Sequence, residues 1–282
     1  MNVLITGGTG YIGGTVLGKL VGHGHRVRAV VRGEDAAKTV TEAGAEAVIG
    51  DIADVPWLTA QLTGVDGAIH LASLEPAGDD AVLDAVFTAF QGTAKPFVYT
   101  SGLWVWGNNV DITEDGPARP TEISAWRLPR HDRVLASGLR ASIIAPAPVY
   151  GHGKGLAAWL FSYGPRTDGG ALRMVGSGAQ HWASVHVEDL ADLYVAVLER
   201  APGGELYIGA SGVNPTVREM AQAAVGPDGA IVPEEDDATR ARLGAGLADA
   251  LLLDQQASGS LARTRLGWQP SRPTVLEELA TS

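Results

Sequence analysis

Short apolar runs recur along the first half of the chain with helix-length stretches between them. Residues 3–5, 27–31, 47–49, 67–71, 97–100 and 141–144 are each strand-sized. Strands spaced this way are joined by crossovers rather than hairpins, so the pattern predicts an α/β chain with a Rossmann-type, doubly wound parallel sheet. Residues 11–21 carry the first helical pattern. Residues 189–200 return to helical periodicity, with Leu190, Leu193, Tyr194, Val197 and Leu198 on one stripe that should pack back on the sheet. Between and beyond, after residue 150, the alternation breaks into glycine-rich connections around Gly151, Gly153, Gly155 and Gly170. The expected division is a Rossmann domain over 1–150, with 183–202 packing onto it, and a smaller C-terminal substrate lobe built from 151–182 and 203–282.

The turn after the first strand carries chemistry. Gly7, Gly10 and Gly13 have the G-x-x-G-x-x-G spacing between a strand and a helix. Such glycines allow the tight turn, the approach of backbone to a pyrophosphate and close packing of the helix on the strand. The helix N-terminus then faces the phosphates. Thr9, Tyr11 and Ile12 complete this candidate dinucleotide-binding loop, and Leu71, Ala72 and Ser73 at the end of the fourth strand are expected beside the same ligand.

The second strand bears on which dinucleotide. An acid commonly closes it, about 20 residues past the glycines, to hold the ribose hydroxyls. Here the strand closes on Arg32, with Arg28 four residues earlier. A guanidinium at that place can meet a 2′-phosphate, which points to NADP(H) rather than NAD; the bland alternative is a solvated loop arginine. After the third strand, Asp51 and Ile52 stand where side chains reach an adenine edge, although Asp51 could equally cap the next helix.

The 282 residues are 45% hydrophobic and 19% charged, enough for a full core and unlike a disordered chain. A formal net charge of −11 disfavours nucleic acid and anionic membrane as partners and leaves a small-molecule substrate as the better fit. With no cysteine, disulfides, thiolate catalysis and a cysteine zinc site are excluded. No metal site is expected either: the acidic run Glu234 to Asp237 reads as a solvated loop or helix start, because adjacent carboxylates point apart. The first residues show no basic segment with a cleavable apolar stretch, and no apolar run nears the ~20 residues of a membrane span, so a cytoplasmic protein is the expectation.

Several landmarks together resemble the extended short-chain dehydrogenase/reductase superfamily, in its epimerase/dehydratase-like branch, over essentially the whole chain. They are Thr6-Gly-Gly-Thr-Gly-Tyr-Ile-Gly13, Gly50-Asp51-Ile52, Ile69-His70-Leu71-Ala72, Val149-Tyr150-Gly151, His186-Val-Glu-Asp-Leu-Ala191 and Leu266-Gly-Trp-Gln-Pro270. The stretch Val27 to Arg32 is also similar to NADP-using carbonyl reductases of plant type. The resemblance implies a nicotinamide cofactor, a Ser or Thr that binds the substrate oxygen, a Tyr proton donor and a Lys four residues after it. It also makes a homodimer the candidate assembly.

Those catalytic residues are replaced. Counting back from Gly107, Gly102 falls at the hydroxyl position and Ser101 is one residue off; Trp126 and Arg130 fall at the Tyr and Lys positions. Arginine can hold ribose hydroxyls or phosphate but does not readily give up a proton, and an indole N–H does not usefully ionise. His152 and Tyr150, after the strand run that ends near residue 149, are the replacement candidates, with an exposed loop histidine as the plain alternative for His152. His70 and His186 read as structural. Seven tryptophans against four phenylalanines is a skewed aromatic choice. Of Trp104, Trp106, Trp126, Trp159 and Trp182, three fall by family position around the substrate site, where they suit an aromatic ligand; packing is the equal alternative. The sequence thus supports an NADP(H)-dependent oxidoreductase acting on a small hydrophobic or aromatic carbonyl or imine compound through a non-standard proton donor, or alternatively a catalytically silent NADP-binding sensor.

Overall fold

The computed structural model describes residues 1–281. Its centre is a seven-stranded, all-parallel sheet. Five strands come first in the chain: β1 (Asn2–Thr6), β2 (Arg26–Val31), β3 (Glu46–Ile49), β4 (Gly67–His70) and β5 (Phe97–Thr100). Strand Ala141–Pro146 follows β5 in the sheet and strand Glu205–Gly209 closes that edge, so the spatial order runs from 205–209 through 141–146, β5, β4, β1 and β2 to β3. The order reverses between β1 and β4, which makes the switch point where open parallel sheets bind ligands beyond their C-terminal strand ends. The strands are near-continuous apolar runs because both faces are covered: Val3, Leu4 and Ile5 of β1 are at most 1% exposed.

Helix α1 (Tyr11–Gly22) shows how the sequence sets a face. Gly13, Val16, Leu17 and Leu20, at i, i+3, i+4 and i+7, are its buried residues. Helices α2 (Glu34–Glu42), α3 (Val55–Thr63) and α4 (Pro76–Phe90) make the crossovers between the following strands. Helix Val187–Arg200 buries Leu190, Leu193, Tyr194, Val197 and Leu198 in the same core, and the Tyr194 hydroxyl lies 2.8 Å from Thr100 Oγ1 at the end of β5. His186 is its N-cap, Nδ1 accepting from the Glu188 amide at 3.2 Å.

Two sequence expectations shift. Strand Glu205–Gly209 lies in the stretch assigned to the second lobe, yet it belongs to the central sheet, paired with Ala141–Pro146. Residues 149–151, read as the end of a main-sheet strand, form instead a short pair with Val185–His186 outside that sheet. A second apolar cluster, including Tyr150, Phe161, Met174, Trp182, Met220 and Leu279, gathers residues from 150 onward. The acidic run opens a helix at Asp236, with Glu234 held by Arg242 at 2.7 Å.

Candidate active site

The glycine-rich loop is shaped by steric need at two positions and left bare at the third. A Cβ on Gly7, which has φ +75°, would lie 2.6 Å from the Ala72 amide, and one on Gly13 would lie 2.0 Å from the Gly7 carbonyl oxygen. Gly10 is different. A Cβ there would meet only the Gly7 carbonyl oxygen, at 3.3 Å, so its outer face is open. Around that face lie Thr9, Tyr11, Gly14, Thr15, His152 and Lys154, which bound a recess over the start of α1. Thr9 and Gly10 are exposed, and Ile12 packs its side chain against the core. The Tyr11 hydroxyl donates to the Gly151 carbonyl at 2.8 Å and ties the loop to the short strand 149–151; burial pushes its pKa well above the usual phenol range. Bare backbone, a helix N-terminus and a lysine form a fitting cradle for a pyrophosphate.

Beneath the loop, Thr6 Oγ1 sits 2.6 Å from His70 Nδ1, and Asp79 joins His70 Nε2 at 3.3 Å to the Tyr99 hydroxyl at 2.6 Å. Leu71 and Ala72 donate their amides to Thr6 Oγ1, which pins the end of β4 beside the loop; Ser73 beyond them is exposed. His70 is thus buried in a structural network.

At the end of β2, Arg32 is exposed and, among the described residues, has no hydrogen-bond or ion-pair partner. Arg28 is committed elsewhere: Nε meets Glu46 at 3.1 Å and Nη2 meets the Gln61 side chain at 2.9 Å. Asp51 is exposed and accepts from the Ala53 amide at 2.9 Å, while Asp54 caps α3 through the Trp57 amide; the capping alternative for Asp51 is therefore overturned. Ile52 packs against the core.

Further along the same edge, beyond the ends of β5 and strand Ala141–Pro146, lies a pocket of about 240 Å³. Ser101, Gly102, Leu103, Trp104, Ile123, Ser124, Arg127, Pro146, Ala147, Pro148 and Leu156 line it. Ser101 is buried, and its Oγ lies 2.5 Å from Nε2 of His131. His131 is 5% exposed; burial first, and then the Arg127 guanidinium, push its pKa down to about 4. Gly102, in extended backbone, has nothing within 4 Å of a Cβ built on it, so a pocket wall is missing there.

The candidates placed by counting fall one residue out of register with this pocket. The chain turns at Trp126–Arg127, between helix α5 (Glu122–Ala125) and helix α6 (Leu128–Leu135), and it is Arg127 and His131 that face Ser101. Trp126 is half-buried, donating Nε1 to the Ile123 carbonyl at 3.1 Å and stacking under Arg127. Arg130 is tied through Nη1 and Nη2 to the Trp126 carbonyl, the Pro76 carbonyl and the Asp80 carboxylate, while its Nε is buried without a partner. His152 is exposed and 3.2 Å from Glu188, on the side of the glycine loop rather than near Ser101. Tyr150 is buried in the second cluster, its hydroxyl donating to the Pro273 carbonyl at 2.8 Å. Of the five tryptophans, Trp104 alone lines the pocket; Trp106 is in the main core, Trp182 in the second cluster, and Trp159 is exposed.

His131, Arg127 and Lys154 were missed by sequence reasoning. For His131 a signal existed: on α6 the apolar positions Leu128, Val134 and Leu135 flank it at helical spacing, whereas Arg130 falls off that face.

A model of the NmrA-like family matches residues 1–114. An uncharacterized protein of Schizosaccharomyces pombe is 28% identical, the match covering 100% of this chain and 99% of the relative. A 4-hydroxy-2-methyl-3-oxo-4-farnesyl-3,4-dihydroquinoline-1-oxide ketoreductase of Stigmatella aurantiaca is 28% identical over 73% of this chain and 67% of its own length. Among solved structures, a UDP-glucose-4-epimerase from Stenotrophomonas maltophila with bound NAD superposes with a TM-score of 0.75 at 21% identity, covering 100% of this chain and 96% of that one.

Proposed function

We propose, from a fold shared with an NAD-bound UDP-glucose-4-epimerase and a match of residues 1–114 to the NmrA-like family, that the chain is an NADP(H)-dependent oxidoreductase of the epimerase/dehydratase-like kind for a small carbonyl or imine compound with an apolar or aromatic body. The observation that most supports this reading is Ser101, which lines a pocket at the C-terminal edge of the sheet, on the same edge as the glycine loop, and is backed by the buried His131 imidazole. The ketoreductase relative is in keeping with carbonyl chemistry. NADP(H) rather than NAD(H) is favoured by the unpartnered Arg32 at the end of β2, where no acid stands.

The nicotinamide, when bound, supplies or accepts the hydride. The chain does the rest. The bare face of Gly10 and the first amides of α1 would hold the pyrophosphate, with Lys154 adding a positive charge, and Arg32 would hold the 2′-phosphate. The Ser101 hydroxyl would hydrogen-bond the substrate oxygen. In reduction the proton passes from Ser101 Oγ to the nascent alkoxide and is replaced from the His131 imidazolium; in oxidation it returns by the same route. With its pKa pushed down to about 4, His131 is held neutral at pH 7, ready to accept the Ser101 proton in oxidation, and reduction should accelerate as pH falls toward 4 and the imidazolium share grows. Leu103, Trp104, Ile123 and Leu156 give the walls that favour an apolar substrate body.

The test is NADPH oxidation across a panel of small aldehydes, ketones and imines. Turnover should appear and should fall by about 10²–10⁴-fold in kcat in Ser101→Ala, with NADPH affinity unchanged. Tight NADPH binding with no turnover on any panel member would instead be the behaviour of a silent sensor.

A further inference from the structure

Arg127 is the pocket's cation, and its charge is uncompensated. Its guanidinium stacks on the Trp126 ring, Cζ lying 4.3 Å from the centroid, and Nη1 donates to the Thr100 carbonyl at 3.3 Å. Nε and Nη2 make no hydrogen bond, and among the described residues no carboxylate pairs with Arg127. Its neighbours on the next turns contrast with it. Arg130 and Arg133 are both taken by Asp80, and Arg133 also reaches Asp84 at 2.5 Å. Nε and Nη2 of Arg127 are accessible to solvent, and the residue lines the pocket. In a chain of net charge −11, a guanidinium kept clear of the many available carboxylates is a vacancy for an anion brought by the ligand.

We propose that the substrate is a carbonyl acid, and that Arg127 takes its carboxylate while Ser101 meets the reacting oxygen. The proposal rests on the reading of this pocket as the substrate site. Carboxylate is favoured over phosphate by the donor set. A phosphoryl dianion is usually met by several cations or a cradle of amides, whereas this pocket offers one planar fork that matches a carboxylate bidentately. The Ser124 hydroxyl is engaged with the Trp104 and Thr121 carbonyls, so Ser101 is left as the hydroxyl for the second oxygen function. The stack on Trp126 fixes the plane of the fork, and the walls of Leu103, Trp104 and Ile123 would cover the apolar body of the acid.

Calorimetric titration of the full chain with NADP⁺ present, using benzoate and the neutral benzamide as probes, tests this directly. Benzoate should bind at least about tenfold more tightly than benzamide, the lower end of what a charge-assisted hydrogen bond contributes. Arg127→Gln should bring benzoate down to the level of benzamide, and Arg127→Lys, which keeps the charge but not the fork, should recover part of the difference. If Arg127→Gln does not fold, Arg127→Lys carries the comparison. Equal binding of the two probes, no binding of benzoate, or benzoate affinity untouched by either substitution would overturn the proposal. NADPH turnover of a 2-oxo acid and its methyl ester separates the two readings. Benzoate held through Arg127 with neither compound reduced would remove the oxidoreductase reading alone. The ester reduced as efficiently as the acid would remove the carboxylate proposal alone.

Discussion

Ser101 and His131 meet side chain to side chain, Oγ to Nε2 at 2.5 Å, across 30 residues of sequence. The contact joins the end of β5 to the buried face of α6, so the hydroxyl and the imidazole are held by sheet and helix rather than by a loop. Ser101 lines the pocket at the rim of the sheet with His131 buried behind it, and that arrangement is what turns a replaced catalytic set into a candidate proton route.

The glycine loop separates a folding requirement from a binding one. Gly13→Ala would press a methyl into the Gly7 carbonyl at 2.0 Å and should destabilise the fold, because both groups are backbone-fixed. Gly10→Ala meets only the Gly7 carbonyl oxygen, a tight contact at 3.3 Å that a small shift relieves, but it fills the cradle. Thermal melts should show Gly10→Ala close to the parent and Gly13→Ala well below it, while calorimetry should show NADPH affinity lost in Gly10→Ala. Unaltered NADPH binding by a folded Gly10→Ala protein would contradict the placement of the pyrophosphate.

Arg32 is expected to set cofactor preference without help from Arg28, which is committed to Glu46 and Gln61. A charge-assisted bond is worth about 1.5–3 kcal/mol, or roughly 10- to 150-fold in affinity. Titration of Arg32→Ala should show NADPH weakened by that factor and NADH nearly unchanged. Equal losses for both would mean that Arg32 does not see the phosphate.

Installing the family's usual Tyr and Lys at the counted positions should not create a fast enzyme. Trp126 and Arg130 do not line the pocket, and Gly102 still lacks a hydroxyl. Steady-state assays of the Trp126→Tyr, Arg130→Lys double variant should show no gain on carbonyl substrates, together with a lower Tm from the altered Asp80 contact. A gain of orders of magnitude would show that those positions do reach the reacting atoms.

Much of the fold was legible because it is written in apolar runs. The first six sheet strands and the stripe on helix Val187–Arg200 follow directly from burial on two faces or on one. Strand Glu205–Gly209 was not read as part of the sheet, since it comes after the regular alternation has stopped and only its pairing with Ala141–Pro146 shows where it belongs. The cofactor loop was legible for a similar reason: close packing demands glycine at Gly7 and Gly13 and leaves a spacing. The catalytic register was not. An i, i+4 pair can be counted onto Trp126 and Arg130 as easily as onto Arg127 and His131, and the turn between α5 and α6 decides which pair faces Ser101. His152 misled for another reason, since residues 149–151 belong to a small separate strand pair.

The buried imidazole also has a thermodynamic signature. Folded His131 titrates near 4, while the unfolded chain takes up that proton near 6.5. The unfolded state therefore binds more protons between these values, and stability rises with pH across them. The contribution is complete above about 6.5 and is lost as pH falls toward 4, amounting to on the order of 3 kcal/mol. Urea denaturation at a series of pH values should show a steeper loss in the parent than in His131→Gln over this window. Parallel curves would mean that His131 is not held neutral by its surroundings.

The central claim, that Ser101 and His131 act as one proton-transferring unit, is tested most directly by a double-mutant cycle on kcat for NADPH-dependent reduction. Parent, Ser101→Ala, His131→Gln and the double variant are compared at saturating cofactor, on whichever carbonyl compound the parent reduces. Residues that act as a unit lose function together, so each single substitution should cost at least ~10-fold and the double variant should be little worse than the poorer single one. Losses that multiply in the double variant, or a His131→Gln protein as fast as the parent, would contradict the account.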